Sequence, residues 1–166
     1  LDTVEKYDLS IEQMIEYAGL QLERVIALKA TKTSKITIGV GNGNNGGGGL
    51  VAARRLAAWG YDGILIGGCH NKRITQHPVK KSGAIWSDKT ITTKPDIWVD
   101  AYLGISQRLP LSQAFLEKIT LANASTAHRI SLDIPIGVSE ERSEPMFIAH
   151  QVITLAAPKK ILELLP

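Results

Sequence analysis

Two aspartates and a run of glycine and asparagine are the residues best placed for chemistry. Asp100 follows Ile97-Trp98-Val99, and Asp133 follows Ile130-Ser131-Leu132. Both short apolar runs read as strands. In an open parallel sheet, ligands bind beyond the carboxyl ends of the strands, so both side chains could point into one crevice. A carboxylate there could act as general acid or base, or hold a cation together with amide and backbone oxygens. It could also simply cap the helix or turn that follows. Between the predicted strand Ile36–Val40 and a predicted helix lies Gly41-Asn42-Gly43-Asn44-Asn45-Gly46, a literal G-x-G-x-x-G. Seven of the 15 glycines fall between Gly39 and Gly49. Glycine lets backbone approach a phosphate, and a helix N-terminus offers free N–H donors and a positive dipole end. The competing reading is a tight turn without a ligand, but Gly47, Gly48 and Gly49 exceed what a turn needs. The stretch from Gly41 to Gly49 is therefore expected to be a nucleotide-binding loop.

Several chemistries lose support. A hydride-transferring dehydrogenase expects an acid at the end of the second strand to hold the ribose. Here Ile64-Leu65-Ile66 ends in Gly67-Gly68, and Asp62 precedes the strand. No Lys-Ser/Thr follows the glycines, so this is not a P-loop. His70, His77, His128 and His150 show no metal-ligand spacing, and no Gly-x-Ser-x-Gly elbow is present.

The elements that would position these residues follow from pattern. Ser10 with Gln13 predicts a capping box. Ile11, Met14, Ile15, Ala18, Leu22, Val25 and Ile26 recur at helical spacing, predicting a helix to about Ala30. A second helix is predicted from Leu50 to Trp59, stopped by Gly60, and a third from Leu111 to Ala122. Val152–Leu155 is the fifth predicted strand. Four segments each follow a predicted strand: Gly41–Gly49, Asp100–Pro110, Asp133–Gly137 and Ala156–Lys160. Alternating strands and helices predict a three-layer αβα sandwich, Rossmann-like, with a mostly parallel sheet. The stretch from Gly67 to Lys94, broken by Pro78 and Gly83, gives no clear pattern.

A chain of 166 residues suits one domain, 1–166. The net charge of +3 is spread in short clusters, Lys72-Arg73, Lys80-Lys81 and Lys159-Lys160, which read as solvated faces. Three Trp, four Tyr and two Phe do not make the basic, aromatic surface of a nucleic-acid binder. The single cysteine, Cys69, excludes an internal disulfide and reads as a small buried side chain in a cytoplasmic setting. No apolar run approaches a membrane span. No signal-peptide pattern is visible, and with Leu1 in place of Met the start of the chain leaves targeting open.

Taken together the motifs resemble the YjeF N-terminal family, the NAD(P)H-hydrate epimerases. The resemblance covers nearly the whole chain. It rests on Met14-Ile15-Glu16-Tyr17-Ala18-Gly19, on Gly43-Asn44-Asn45-Gly46-Gly47-Gly48-Gly49-Leu50-Val51-Ala52-Ala53-Arg54, and on Val99-Asp100-Ala101-Tyr102-Leu103-Gly104. Asp133-Ile134-Pro135-Ile136-Gly137 and Thr154-Leu155-Ala156-Ala157-Pro158-Lys159 complete it. The resemblance implies interconversion of the R and S forms of hydrated NADH and NADPH, NAD(P)HX, in cofactor repair, with a separate dehydratase consuming the S form. It implies Asp133 as the acid/base. It implies that Asn44, Asn45, Gly46, Gly47 and Gly48 bind the dinucleotide, together with Gly104, Ile105, Ser106, Gln107, Arg108, Leu109 and Pro110, with Lys159 at the rim. It also implies a potassium ion held by Asn45 and Asp100, and a homodimer.

The chain departs from that pattern. Gly48 stands where the family has Asp. Ile136 stands where the family has a serine that ligates potassium, and it offers no side-chain oxygen. Gly104-Ile105-Ser106 replaces Gly-Thr-Gly, and His150 replaces a frequent Asp. These departures define a second reading, a catalytically degenerate nucleotide-binding or dimerising module of the same fold.

Overall fold

The computed structural model describes residues 9–68, 84–87, 94–141, 145–155, 157 and 159–166. The expectations for Cys69, His70, His77 and the Lys72-Arg73 and Lys80-Lys81 pairs lie outside these residues. Among these residues six strands form one all-parallel sheet: β1 (Ile36–Val40), β2 (Ile64–Gly68), β3 (Ile85–Ser87), β4 (Ile97–Ala101), β5 (His128–Leu132) and β6 (Gln151–Ile153). Their order is β3-β2-β1-β4-β5-β6. Helices α1 (Ile11–Ala27), α2 (Asn44–Ala58) and α3 (Gln113–Ala124) cover the sheet. β3 lies within the stretch that gave no pattern, because a three-residue edge strand is too short to show a period.

Side-chain alternation along β4 assigns the two faces. Ile97, Val99 and Ala101 share a core with Leu22 and Ile26 of α1 and Leu50 and Leu56 of α2. Trp98 and Tyr102 share the other core with Ile119 and Ala122 of α3, Ile136 and Phe147. Asp100, between Trp98 and Tyr102, therefore belongs to the α3 side. The strand order reverses between β1 and β4, and their carboxyl ends form the topological switch point where α/β sheets take ligands.

The capping box forms at α1: Gln13 N–H donates to Ser10 Oγ at 3.2 Å, and Ser10 N–H to Gln13 Oε1 at 2.8 Å. Ile15, Ala18, Gly19, Leu22 and Ile26 are the buried face. Ile11 and Met14, expected on that stripe, are 48% and 38% exposed. The helix ends before Ala30, at Ala27; past it the Lys29 N–H turns onto the Ile26 carbonyl at 2.9 Å, an i→i−3 bond that tightens the last turn.

The expected glycine loop requires correction. Only Gly41–Gly43 is non-helical; α2 begins at Asn44, and Gly46 to Gly49 lie inside it. Each glycine costs a helix roughly 1 kcal/mol relative to alanine, so packing rather than propensity makes these residues helical. A Cβ on Gly48 would meet Leu132 Cδ2 at 2.8 Å and Ala18 Cβ at 3.5 Å. One on Gly49 would meet Ala101 Cβ at 2.8 Å and Val40 Cγ1 at 2.9 Å. From the other side, a Cβ on Gly19 would press on Val51 and reach the Gly48 carbonyl at 2.8 Å. The missing side chains let α2 lie against both the sheet and α1, which brings its N-terminus to the ends of β1 and β4.

Candidate active site

Five of the expected residues converge at this switch point: Asn45 from the first turn of α2, Asp100 from β4, Gly104 from the turn after it, Asp133 after β5, and Lys159 near the C-terminus. No side chain caps α2, so the N–H groups of its first turn face the crevice without an intrahelical partner.

Asp133 carries the distinctive geometry. It ends β5, its N–H donating to the Ile153 carbonyl at 2.8 Å. Its φ of 70° is in the left-handed region, which Asp and Asn tolerate better than other side chains. The residue is 5% exposed. Oδ2 accepts the Ile105 N–H at 3.0 Å, and Oδ1 lies 2.6 Å from the Lys159 ammonium. Lys159 also donates to the Leu155 carbonyl at 2.9 Å. Expected on a solvated face and at the rim, Lys159 instead reaches inward to the carboxylate.

Asn45 stands across Gly104 from Asp133. Gly104 has φ 62°, and a Cβ there would sit 2.9 Å from Asp133 Oδ2 and 3.1 Å from Asn45 Cγ. Asn45 is 8% exposed, and neither Oδ1 nor Nδ2 has a hydrogen-bond partner within the protein. An amide buried without partners costs stability, which marks it as a group waiting for a ligand.

Asp100 is different: its carboxylate is already occupied. It is fully buried. Oδ1 accepts the Tyr102 N–H at 3.1 Å, and Oδ2 accepts the Ser131 hydroxyl at 3.0 Å and the Ile136 N–H at 2.8 Å. Burial pushes its carboxyl up to about 6, against the pull of those hydrogen bonds. The Ile136 side chain, where a serine oxygen would help hold potassium, is packed with Trp98, Tyr102 and Phe147. A cation would find one of its side-chain ligands replaced by hydrocarbon and another engaged by three donors. Of the side-chain oxygens implied for potassium, only Asn45 Oδ1 is left without a protein partner, so the donor set does not fit the ion that the resemblance implied.

The remaining expected residues divide. Asn44, Ile105, Ser106, Arg108, Leu109 and Pro110 are exposed around the crevice mouth. Gly46 packs on the Gly41 backbone, Gly47 N–H is engaged by the Gly43 carbonyl at 3.1 Å, and Gly48 faces the core. Gln107 spends its amide inside the protein, accepting the Gly137 N–H at 2.8 Å and donating to the Val138 carbonyl at 3.1 Å. Ser131, a buried polar residue next to a strand-end Asp, was legible only as part of a strand. His128 and His150 stack with centroids 5.1 Å apart; His128 opens β5, at the sheet edge opposite the crevice.

The family described as YjeF-related protein N-terminus matches residues 11–161. The chain belongs to this family. Two relatives are named NAD(P)H-hydrate epimerase. The one from Caenorhabditis briggsae is 32% identical over 170 residues, covering 93% of this chain and 70% of its own. The one from Anopheles darlingi is 34% identical over 172 residues, covering 93% and 73%. The crystal structure of yeast ynu0 superimposes with a TM-score of 0.81 at 21% identity, over 99% of this chain and 79% of that one, and shares the fold. Within this YjeF-related framework the α/β fold is the common ground. Among the described residues no helix is long and apolar enough to cross a membrane.

Proposed function

We propose that the protein is an NAD(P)H-hydrate epimerase, an isomerase that interconverts the R and S forms of NAD(P)HX. The observation that carries this reading is the Asp133 carboxylate, held between the Ile105 N–H and the Lys159 ammonium and facing the unpartnered Asn45 amide across Gly104. The first turn of α2, from Asn44 to Gly46, receives the pyrophosphate. The exposed residues Ile105, Ser106, Arg108, Leu109 and Pro110 border the dinucleotide.

The chemistry is loss and return of one hydroxyl at C6 of the hydrated ring. The ring N1 lone pair forms N1=C6 as the C6–O bond breaks, and the oxygen leaves as water with a proton from the Asp133–Lys159 pair. The cationic ring sits beside the carboxylate, which stabilises it. Water then adds to the opposite face and returns its proton to the pair. Nothing is oxidised or reduced, in keeping with the missing ribose acid after β2. The reading includes a homodimer, a cytoplasmic setting and a separate dehydratase that consumes the S form.

The test is R/S exchange of purified NADHX followed by chromatography. Wild type accelerates exchange well beyond the spontaneous rate, and Asp133→Asn loses that acceleration by ~100-fold or more. No acceleration at high protein concentration overturns the reading.

A further inference from the structure

Two consecutive backbone amides in the turn after Asp133 are taken by two different side chains. Ile136 N–H donates to Asp100 Oδ2 at 2.8 Å, and Gly137 N–H donates to Gln107 Oε1 at 2.8 Å. Asp100 reaches this turn from β4. Gln107 reaches it from the turn that supplies the Ile105 N–H to Asp133. The Gln107 amide also donates to Val138 O at 3.1 Å and to Pro135 O at 3.5 Å, so both its ends are engaged. Ser131 completes the hold on Asp100 Oδ2 at 3.0 Å. The two turns that face each other across the crevice are thus tied by side chains of this chain alone.

We propose that Asp100 and Gln107 form an all-protein clamp that positions Asp133, and that this epimerase works without a monovalent cation. The proposal rests on the epimerase reading. Asp100 anchors the turn instead of ligating an ion, and Ile136 fills with hydrocarbon the place of a ligand. Gln107 is a positioning residue, since its amide is spent on the opposite turn rather than on the dinucleotide.

Two measurements decide it. In the first, the protein is exchanged into choline chloride, and KCl or NaCl is then titrated in at constant ionic strength. The unfolding midpoint and the NADHX exchange rate are both read. The expected result is no saturable, potassium-specific change in either, with rates within about twofold. A saturable rise in midpoint or rate with KCl, absent with NaCl or choline, overturns cation independence. The midpoint arm decides this even if no buffer yields epimerase activity, an outcome that would instead sink the epimerase reading. In the second, Gln107→Leu is compared with Gln107→Glu, which keeps the acceptor for Gly137 N–H. Leucine is expected to lower kcat at least tenfold with KM within about twofold, and glutamate to recover part of the loss, because small misplacements of a reacting group carry large rate costs. A Gln107→Leu variant with lowered unfolding midpoint but unchanged kcat shows a merely structural contact and overturns the positioning role. A pure rise in KM overturns it too, because that marks a substrate contact.

Discussion

Asp100 offers the sharpest physical test, because its burial has a calculable signature in stability against pH. The folded protein raises its carboxyl from 3.8 to about 6, so the folded state holds this proton more tightly than the unfolded chain does. The sign follows. The stability contributed by this group is complete below pH 4 and is lost as pH rises through 6. Over that window a single group moved this far accounts for about 3 kcal/mol. Asp100→Asn carries no titration and can keep an oxygen toward Ser131 and the Ile136 N–H. Its amide would face the Tyr102 N–H, losing the bond of 3.1 Å. Denaturant unfolding of both proteins at intervals from pH 3.5 to 8 gives two stability curves, and their difference cancels the other carboxylates. Wild type should lose roughly 2–3 kcal/mol relative to the variant between pH 3.5 and 7, steepest between 4 and 6. A flat difference refutes the burial account. A difference that grows in favour of wild type as pH rises also refutes it, being the signature of a carboxylate held ionised by a cation.

Three further outcomes are expected. Lys159→Met removes the ammonium 2.6 Å from Asp133 Oδ1; exchange of NADHX should slow by ~10-fold or more through kcat, and an unchanged kcat removes Lys159 from the proton pathway. Gly104→Ala forces a side chain into φ 62° and toward Asp133 Oδ2 at 2.9 Å; denaturant unfolding should show a loss of roughly 1–3 kcal/mol, with activity reduced at least tenfold. Gly19→Ala gains about 1 kcal/mol of helix propensity but drives its Cβ into Val51 and toward the Gly48 carbonyl at 2.8 Å. Thermal unfolding should show net destabilisation, and a stabilised variant would contradict the close approach of α1 and α2.

Much of the fold was legible because local signals agreed with the tertiary outcome. The Ser10–Gln13 box opens α1 as expected, and the β-branched run Ile36–Val40 is the central strand. Strand-end position alone singled out Asp100 and Asp133, which lie at the carboxyl ends of β4 and β5. The glycines misled because helix propensity is local, while the reason for Gly46 to Gly49 being helical lies in residues as distant in sequence as Ala18 and Leu132. The division of labour between the two aspartates was equally hidden. Nothing in their spacing announces that Asp100 is engaged by Tyr102, Ser131 and Ile136 while Asp133 meets Lys159. Gln107 stood in the correct segment, but no pattern marks an amide that will tie two turns together.

The seam between Gly48 and Leu132 bears on how this chain can change. Family resemblance places Asp at position 48, yet a side chain there would run into the Leu132 methyl at 2.8 Å. The two positions are coupled through this contact: a side chain at 48 displaces the Leu132 methyl, and how far Leu132 can turn aside sets the cost. A swap at 48 is therefore best paired with a change at 132, and the non-additivity of the two measured, before any functional meaning is attached to it.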